Sequence, residues 1–418
     1  MIFETDHRAI EPTLVGSAIL SGNLGQAFNI LKDPSSWAQL ETPRVVNSTD
    51  KSRIVFSFDG EKKAVATLSA WNSSVTELEI VITGDLKSGI GQAQIKYWNE
   101  VAAMLQKRLN APAIVVASSP GKVNVYFAVG AFLKDGFHDV ASCYQALNLR
   151  EKVLVELSGS FSIDFAGPFE QESQLLVPKD ATNLVYRAGQ ELKELGSAMG
   201  SDKVSFVIHK SVPIAGGMAG GSADAAAALV ALNSLFGSKL GEKLPEAAAK
   251  IGSDVPFSLM GGTAIGVGRG EVLSKVADGP ALHWVMTPNP SGLSTPQVYR
   301  QLDIMRINQG IDVSALEAPE VPEELLEAIA SGDVEAIGKL MHNDLEIAAV
   351  AMLPELADTL EAGRKAGSVR SMVSGSGPTI AHLAKNAIHA EQIATRLKAA
   401  GYPSLVTYTS NSGTRLEN

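Results

Sequence analysis

Apolar and polar positions follow two different patterns along the chain, and the change between them lies near residue 110. Before that point, three apolar runs have the residue types of β-strands: IVFSF (54–58), AVATLSAW (64–71) and TELEIVIT (76–83). Residues 23–32 have the spacing of a short helix, and a longer helix is predicted over about 91–109. The apolar face of this longer helix consists of Ile95, Trp98, Ala102, Leu105 and Leu109. Asn110-Ala111-Pro112 ends the helical pattern and predicts a domain boundary.

The remainder is richer in glycine and alanine and has an α/β pattern. Strands are predicted at 113–118, 123–130, 151–157 and 205–210. A helix capped by Thr182 is expected over 183–198, and an alanine-rich helix from Ser222 to about Phe236. After Pro288 the pattern predicts helices at 322–330, 354–365 and 388–400, and strands at 369–373, 379–384 and 404–409. We therefore expect an α+β protein with units at 1–110, 111–286 and 287–418.

Composition narrows the function class. The 418 residues include 35 basic and 45 acidic side chains, a net charge of −10, and this balance argues against a general binder of nucleic acid or anionic membranes. The one cysteine excludes an intrachain disulfide and a cysteine-built zinc site. We expect no signal peptide and no membrane span, because Glu4 and Asp6 lie at the start and prolines interrupt the long uncharged stretch near 279–299. A cytoplasmic protein is the resulting expectation, and the sequence leaves its oligomeric state open.

The stretch PIAGGMAGGSADAAAALVAL (213–232) is the most informative one for chemistry. It follows a predicted strand and opens a predicted helix, so backbone N–H groups of a glycine loop and the positive end of the helix dipole would face one ligand. The ligand expected at such a loop is a di- or triphosphate. The alternative is a flexible turn before an alanine-rich helix. The loop lacks the G-K-[ST] ending of a Walker A sequence, and it is not a Rossmann fingerprint.

Two further stretches make the assignment specific: SSPGKVNVYFAVG (118–130), which predicts a Pro-Gly turn before Lys122 and Asn124, and SMVSGSGPTIAHL (371–383). In the order PGKVN, GGMAGGSADAA, SGSGP, these motifs resemble the three motifs of the GHMP small-molecule kinases. The resemblance implies ATP as phosphoryl donor and a two-lobed fold, with a ribosomal-protein-S5-like first lobe and a ferredoxin-like second lobe. The expected nucleotide-binding residues are Pro213, Ala215, Gly216, Gly217, Met218, Ala219, Gly220, Gly221, Ser222 and Lys210.

Longer segments match one branch of that family, the kinases that phosphorylate the 2-hydroxyl of 4-diphosphocytidyl-2-C-methyl-D-erythritol in the non-mevalonate pathway of isoprenoid and terpenoid biosynthesis. The matching segments are KDGFHD (134–139), VPIAGGMAGGSADAAAALVALNSL (212–235), IGSDVPFSLMGGTAIGVGRGE (251–271) and STPQVY (294–299). The resemblance covers about 113–418. The first 110 residues more weakly resemble a START-like (SRPBCC) domain, in which a curved sheet wraps a helix; the hypotheses for it are apolar-ligand binding, regulation of the kinase, or a mere fusion.

Asp254, in GSDVP, is the expected general base that deprotonates the substrate hydroxyl, and Lys122 is its expected partner. An ammonium nearby keeps the carboxylate ionised and offsets charge on the transferring phosphoryl group. The resemblance implies the same pair. The alternatives are that Asp254 only caps the segment 255–260 and that Lys122 is a solvated charge at a strand end. Asn124, two residues after Lys122, would share its face of a strand and is expected to bind the substrate.

The resemblance further implies that His138 reads the edge of the cytosine base and that Phe137 and Tyr299 stack on its two faces. The family usually has Tyr before this histidine, so Phe137 keeps the ring and lacks a phenol hydroxyl. Thr295 and Lys210 are further candidates near the substrate and the phosphates. Mg²⁺ is expected with ATP, but the sequence leaves its ligands open; Asp224 either helps to hold the ion or only favours the helix N-terminus.

Two other functions stay open at the level of sequence. A GHMP kinase for another small alcohol, homoserine or mevalonate, would keep the nucleotide motifs, but such substrates have no base for Phe137 and Tyr299 to stack on. A non-catalytic ligand-binding protein would not need Lys122 and Asp254 together.

Overall fold

A computed structural model describes residues 2–5, 13–21, 24–32, 44–49, 52–57, 63–72, 75–83, 96–105, 114–134, 136–197 and 199–417. The first unit is built on a six-stranded antiparallel sheet of order β1-β2-β6-β5-β4-β3. Its strands are β1 (Ile2–Thr5), β2 (Thr13–Ser21), β3 (Arg44–Thr49), β4 (Arg53–Ser57), β5 (Lys63–Asn72) and β6 (Val75–Thr83).

Two helices share a core with this sheet: α1 (Leu24–Leu31) and α2 (96–105). Trp98, Ala102 and Leu105 of α2 are buried among the sheet's apolar side chains, as the helical spacing predicted. Ile95, Leu109 and the predicted boundary at 110–112 lie outside the described residues. A helix packed on a sheet agrees with the START-like expectation, but no comparison tests it, and that assignment stays a prediction.

The second unit is the first of two lobes that follow residue 113. Its strands are β7 (Val115–Phe132), β8 (His138–Leu157), β9 (Ser162–Ala166), β10 (Val204–His209), β11 (Thr263–Val267) and β12 (Val272–Lys275). They form the sheet β12-β11-β8-β10-β9, with β7 paired to β8. Its helices are α3 (Glu170–Leu176), α4 (Leu184–Glu194), α5 (Gly220–Leu235), α6 (Leu244–Ile251) and α7 (Val255–Met260). The alanine-rich α5 is buried along most of its length because small side chains let it lie close to α4 and to β7 and β8.

The third unit contains a four-stranded antiparallel sheet of order β15-β16-β13-β17. These strands are β13 (His283–Thr287), β15 (Arg370–Val373), β16 (Ile380–Ala384) and β17 (Leu405–Tyr408). Numbered along the lobe, the order 2-3-1-4 is the ferredoxin-like topology that the family resemblance implied. Its helices are α8 (Thr295–Asn308), α9 (Glu323–Ser331), α10 (Val334–Leu340), α11 (Leu345–Met352), α12 (Glu355–Lys365) and α13 (Ala387–Ala399). The expected division after residue 286 falls inside β13, which belongs wholly to this sheet.

The second and third units, which are the first and second lobes, are joined by more than the chain connection. Two short strands also pair with β7 of the first lobe. They are β14 (His342–Asn343), which lies within the sequence of the second lobe, and β18 (Arg415–Glu417), which follows it. Val123 and Cys143 of the first lobe also pack with Trp284 and Met286 of the second in one core cluster. The two lobes therefore form one continuous body around β7.

Three local expectations are wrong. Residues 113–130 do not form two strands with a Pro-Gly turn between them, because β7 runs through Pro120 and absorbs it in a register shift against β8. Thr182 does not cap α4; Asn183 does, by accepting a hydrogen bond from the Val185 N–H, while Thr182 bonds Asp180. The alanine-rich helix begins at Gly220, and its N-cap position is Ala219 rather than Ser222.

Candidate active site

The glycine loop between β10 and α5 forms one wall of a cavity of about 470 Å³. Ala215, Gly217 and Ala219 adopt positive φ angles of 51°, 71° and 58°. Left-handed backbone at alanine is strained, and such strain is concentrated at functional sites. The loop leads directly into α5, so the N-terminal amides of a 16-residue helix lie at the cavity wall.

Nearly all the expected nucleotide-binding residues line this cavity: Pro213, Ala215, Gly216, Gly217, Met218, Ala219, Gly220, Gly221 and Lys210. Ser222 is the exception. Because α5 starts two residues earlier than expected, Ser222 lies in its first turn, half-buried, and does not line the cavity. The expected role of its hydroxyl in binding phosphate therefore has no support in this geometry.

The second glycine turn, between β15 and β16, forms an adjoining part of the cavity wall. Gly375, Ser376 and Gly377 line the cavity. A Cβ on Gly217 would lie 2.1 Å from the Ser374 carbonyl oxygen, so only glycine allows the two glycine segments to approach this closely. The Ser374 hydroxyl also donates to the Gly217 carbonyl oxygen at 3.3 Å. Two segments that are far apart in sequence thus meet through their backbones.

Lys122 is buried in the same cavity, with only 5% of its surface exposed. Its Nζ donates to Asn124 Oδ1 at 2.6 Å and to the Gly217 carbonyl oxygen at 2.8 Å, and lies 4.0 Å from Asp254 Oδ2. Burial lowers the pKa of Lys122, and the negative charge of Asp254 partly opposes that shift. Lys122 therefore lies buried beside Asp254, which excludes the alternative of a solvated charge at a strand end.

Asp254 lies directly before α7, at its N-cap position, but its side chain accepts no capping hydrogen bond. Its carboxylate is partly exposed and lines the cavity together with Ser253. A helix-capping role therefore does not account for this residue, and its carboxylate is available to a ligand beside the Lys122 ammonium.

Asn124 lies beside Lys122, and its side-chain amide is hydrogen-bonded within the protein. It lines the cavity but is fully buried, with Oδ1 accepting from Lys122 and Nδ2 donating to Ser142 Oγ at 2.7 Å. Ser142 in turn donates to the Tyr126 carbonyl oxygen. Both ends of the amide are thus engaged within the protein, and Asn124 orients the lysine.

Lys210 is held below the glycine loop by two buried carboxylates. Its Nζ lies 2.5 Å from Glu151 Oε1 and 2.7 Å from Asp224 Oδ2. Burial raises the pKa of Glu151 to about 8 and also raises the pKa of Asp224, although the ammonium counteracts both shifts. For Lys210, burial is outweighed by the attraction of the two acids, and its pKa is raised. This cluster supports the loop from beneath, and the Ser211 N–H donates to Glu151 Oε2 at 2.8 Å.

A second cavity, of about 1070 Å³, adjoins the first. Ser253, Arg269, Thr295 and Tyr299 line both cavities, so the two are continuous. Thr295 makes a 2.8 Å hydroxyl contact with Ser376 of the second glycine turn. The two cavities together can hold one ligand at the glycine loop and a larger one beside it.

Aromatic side chains define the second cavity. His138 is buried, and its ring centroid lies 4.9 Å from that of Tyr299 and 5.1 Å from that of Phe132. Phe137 is 50% exposed at the cavity, and the Arg269 guanidinium lies over its ring, 4.3 Å from the centroid. All three aromatic residues expected at the base are therefore in one cavity, and an unpredicted arginine covers Phe137.

Sequence reasoning missed four residues of the site: Ser142, Glu151, Arg269 and Asp303. A signal existed for two of them. Arg269 stands between glycines in GVGRGE, and Gly268 and Gly270 take positive φ angles that present it at the cavity. Asp303 follows Tyr299 by four residues, which places both on one face of α8. Ser142 and Glu151 lie within β8 and gain their roles only through pairing.

No group of three or more His, Cys, Asp or Glu side chains in the described ranges is arranged to hold a metal ion. In the same ranges, no helix combines the length and the apolar character that crossing a bilayer requires.

Comparison with known proteins identifies relatives of the chain. Residues 183–262 match the model of the GHMP kinases N terminal domain, and residues 325–403 match that of the GHMP kinases C terminal domain. The 4-diphosphocytidyl-2-C-methyl-D-erythritol kinase of Nocardioides sp. is 43% identical over 286 residues, covering 68% of this chain and 93% of the relative. The Streptomyces coelicolor enzyme of the same name is 44% identical over 290 residues, covering 69% and 93%.

Solved structures agree with these relatives. A crystal structure of 4-(cytidine 5'-diphospho)-2C-methyl-D-erythritol kinase superposes with a TM-score of 0.56 at 29% identity, covering 71% of this chain and 99% of that one. A homoserine kinase from Cytophaga hutchinsonii superposes with a TM-score of 0.52 at 20% identity, covering 72% and 97%, and supports the fold alone.

Proposed function

Because the chain belongs to the GHMP kinase family and, within it, to the 4-diphosphocytidyl-2-C-methyl-D-erythritol kinases, we propose that it transfers the γ-phosphoryl group of ATP to the 2-hydroxyl of that compound. The reaction belongs to the non-mevalonate pathway of isoprenoid biosynthesis. The observation that carries the proposal is the position of Lys122 and Asp254, which face the cavity walled by the two glycine segments.

The ATP phosphates lie against the glycine loop and the N-terminus of α5. Backbone N–H groups and the helix dipole attract oxyanions there without a large positive net charge. An acidic chain can therefore bind an anionic ligand, because the electrostatic attraction comes only from residues 215–221 and Lys122 at the cavity. The second glycine turn lines the same cavity next to the loop and limits the space for the phosphates.

The chemical step needs one base and one cation. Asp254 accepts the proton of the substrate's 2-hydroxyl group while the oxygen of that hydroxyl forms a bond to the γ-phosphorus of ATP. The bond from that phosphorus to the β–γ bridging oxygen breaks, and ADP leaves with the electron pair. Lys122 offsets the negative charge of the transferring group, held in place by Asn124 and the Gly217 carbonyl.

The residues present also fit a magnesium ion. Asp224 lines the first cavity, and its buried Oδ1 has no hydrogen-bond partner among the described residues, while Oδ2 binds Lys210. Mg²⁺ typically binds one or two carboxylates together with phosphate oxygens and water. We assign Asp224 as the protein residue that would hold the ion, which would supply positive charge to the phosphate groups.

The second cavity takes the cytidine end of the acceptor. Phe137 and Tyr299 supply ring faces for the base, and Thr295 at the junction lies near the erythritol. Arg269 lines both cavities and already lies over Phe137, so we assign it to the diphosphate that links the base to the erythritol.

A coupled assay tests the proposal with ATP and each of three acceptors: the cytidine compound, homoserine and mevalonate. We expect turnover only of the cytidine compound. As a control for charge removal, Asp358→Asn changes an exposed carboxylate on α12 that lines neither cavity and should leave turnover unchanged. Turnover of homoserine or mevalonate without turnover of the cytidine compound would refute the assignment.

A further inference from the structure

His138 and Asp303 form a hydrogen-bonded pair beside the second cavity. His138 Nε2 lies 3.0 Å from both carboxylate oxygens of Asp303. We propose that Asp303 fixes the proton of His138 on Nε2, so that Nδ1 is an acceptor facing position 4 of the pyrimidine and selects an amino group there over a keto oxygen. This rests on the proposed function, in which the second cavity binds the base.

The proton assignment follows from the chemistry of the two groups. An ionised carboxylate can only accept hydrogen bonds, so the nitrogen facing it must carry the proton. In a neutral imidazole the other nitrogen is then an acceptor. Among the residues that the structure describes, Nδ1 of His138 makes no hydrogen bond. The acceptor is thus left for a ligand.

The surrounding packing keeps the ring in this orientation. Phe132 and Tyr299 contact the imidazole with ring-centroid distances of 5.1 and 4.9 Å. Asp303 follows Tyr299 by one turn of α8, so the helix that presents one of these rings also presents the carboxylate. The side chains of His138 and Asp303 are 7% and 17% exposed, which limits competition by water.

A fixed acceptor distinguishes the two common pyrimidines at position 4. Cytosine carries an amino group there and donates a hydrogen bond to Nδ1. Uracil carries an oxygen at that position, so two acceptors would face each other and both would lose water without compensation. Asp303 contacts the histidine and not the base, so it is a positioning residue whose effect appears as specificity.

The test compares kcat/KM for the cytidine compound and its uridine counterpart in the wild type, Asp303→Asn and the control Asp358→Asn. An asparagine amide can donate to Nε2 and move the proton to Nδ1. For Asp303→Asn we expect kcat/KM for the cytidine compound to fall about ten- to hundredfold and the cytidine-to-uridine preference to decrease, with Asp358→Asn unchanged. An equal loss of kcat/KM for both compounds would mean that the pair only links α8 to β8 structurally, and would overturn the proposal.

Nitrogen-15 NMR of the histidine ring gives a readout independent of turnover. We expect the Nε2–H tautomer in the wild type and in Asp303→Glu, which keeps an acceptor, and the Nδ1–H tautomer in Asp303→Asn. An imidazolium or an Nδ1–H tautomer in the wild type contradicts the proposal, even where Asp303→Asn fails to fold. A wild type that phosphorylates neither compound refutes the proposed function, whereas one that phosphorylates both equally refutes only this inference.

Discussion

The ammonium nitrogen of Lys122 lies 4.0 Å from a carboxylate oxygen of Asp254, although one residue lies within β7 and the other directly before α7. The same ammonium donates to the Gly217 carbonyl oxygen. The folded first lobe therefore brings a carboxylate, an ammonium and the glycine loop together, and each of the three can be changed separately.

Replacing the base should separate chemistry from nucleotide binding. Asp254→Asn keeps the shape of the side chain but removes its ability to take a proton, so we expect kcat to fall roughly 10²–10⁴-fold. ATP-analogue affinity, measured by calorimetry, should stay within a few-fold of wild type because the glycine loop is intact. Unchanged turnover would remove Asp254 from the proposed role.

The pH profile should report the buried lysine. Burial lowers the pKa of Lys122 from 10.5. As the pH rises through this lowered value the ammonium loses its proton, and kcat should fall because the charge on the phosphoryl group is no longer offset. We expect the alkaline limb of the kcat–pH profile to begin below pH 10.5 and Lys122→Met to be inactive throughout. A fully active Lys122→Met variant would contradict this account.

Stability should depend on pH through Glu151. Its native pKa of about 8 lies above the ordinary 4.5, so between these values the folded chain binds more protons than the unfolded chain. The contribution of Glu151 to the free energy of unfolding is therefore largest at low pH and is lost as the pH rises through about 8. Glu151→Gln removes this titration while keeping the side-chain shape.

Thermal unfolding of the two proteins checks this sign. The melting temperature of the wild type relative to Glu151→Gln should fall between pH 6 and pH 9. A difference that stays constant or rises across this range would mean that Glu151 is ionised in the native protein at neutral pH.

The contact between the two glycine segments should be intolerant of a methyl group. In Gly217→Ala the added Cβ would meet the Ser374 carbonyl oxygen at 2.1 Å on a backbone with φ of 71°. We expect weaker nucleotide binding and a lower melting temperature, since either the loop or the second turn must move. Gly237→Ala is a matched control, because Gly237 also has a positive φ but no atom within 4 Å of the added Cβ. Equal effects of the two substitutions would show that backbone strain alone is responsible.

Base stacking can be tested at Phe137. Loss of a stacking partner costs about 1–3 kcal/mol per base, so Phe137→Ala should raise KM for the cytidine compound about 5- to 150-fold. Phe137→Tyr keeps the ring and should stay close to wild type. The KM for ATP should not change in either variant. An unchanged KM for the cytidine compound in Phe137→Ala would move the base to another part of the second cavity.

The linear motifs predicted groups that line the first cavity, because Lys122, Asp254 and the glycine loop each belong to a local sequence pattern. The hydrogen bond from Asn124 to Ser142 could not be predicted, since Ser142 faces Asn124 only through the pairing of β7 with β8. The prediction of a Pro-Gly turn was wrong for the same reason, because the pairing with β8 decides whether Pro120 ends a strand or lies in a bulge. Glu151 gave no signal, because it lies between Arg150 and Lys152 in the sequence and meets Lys210 only in the folded chain.

The pairing of β18 with β7 also affects how the chain can fold as it is made. Residues 415–417 supply a neighbour to the strand that carries Lys122, and Arg150 fixes the approach by donating to carbonyl oxygens of Ser412 and Gly413. The ribosome releases these residues only after the whole second lobe has emerged. That edge of the first lobe therefore stays open until the second lobe has been synthesised, and only then can β7 gain β18 as its neighbour.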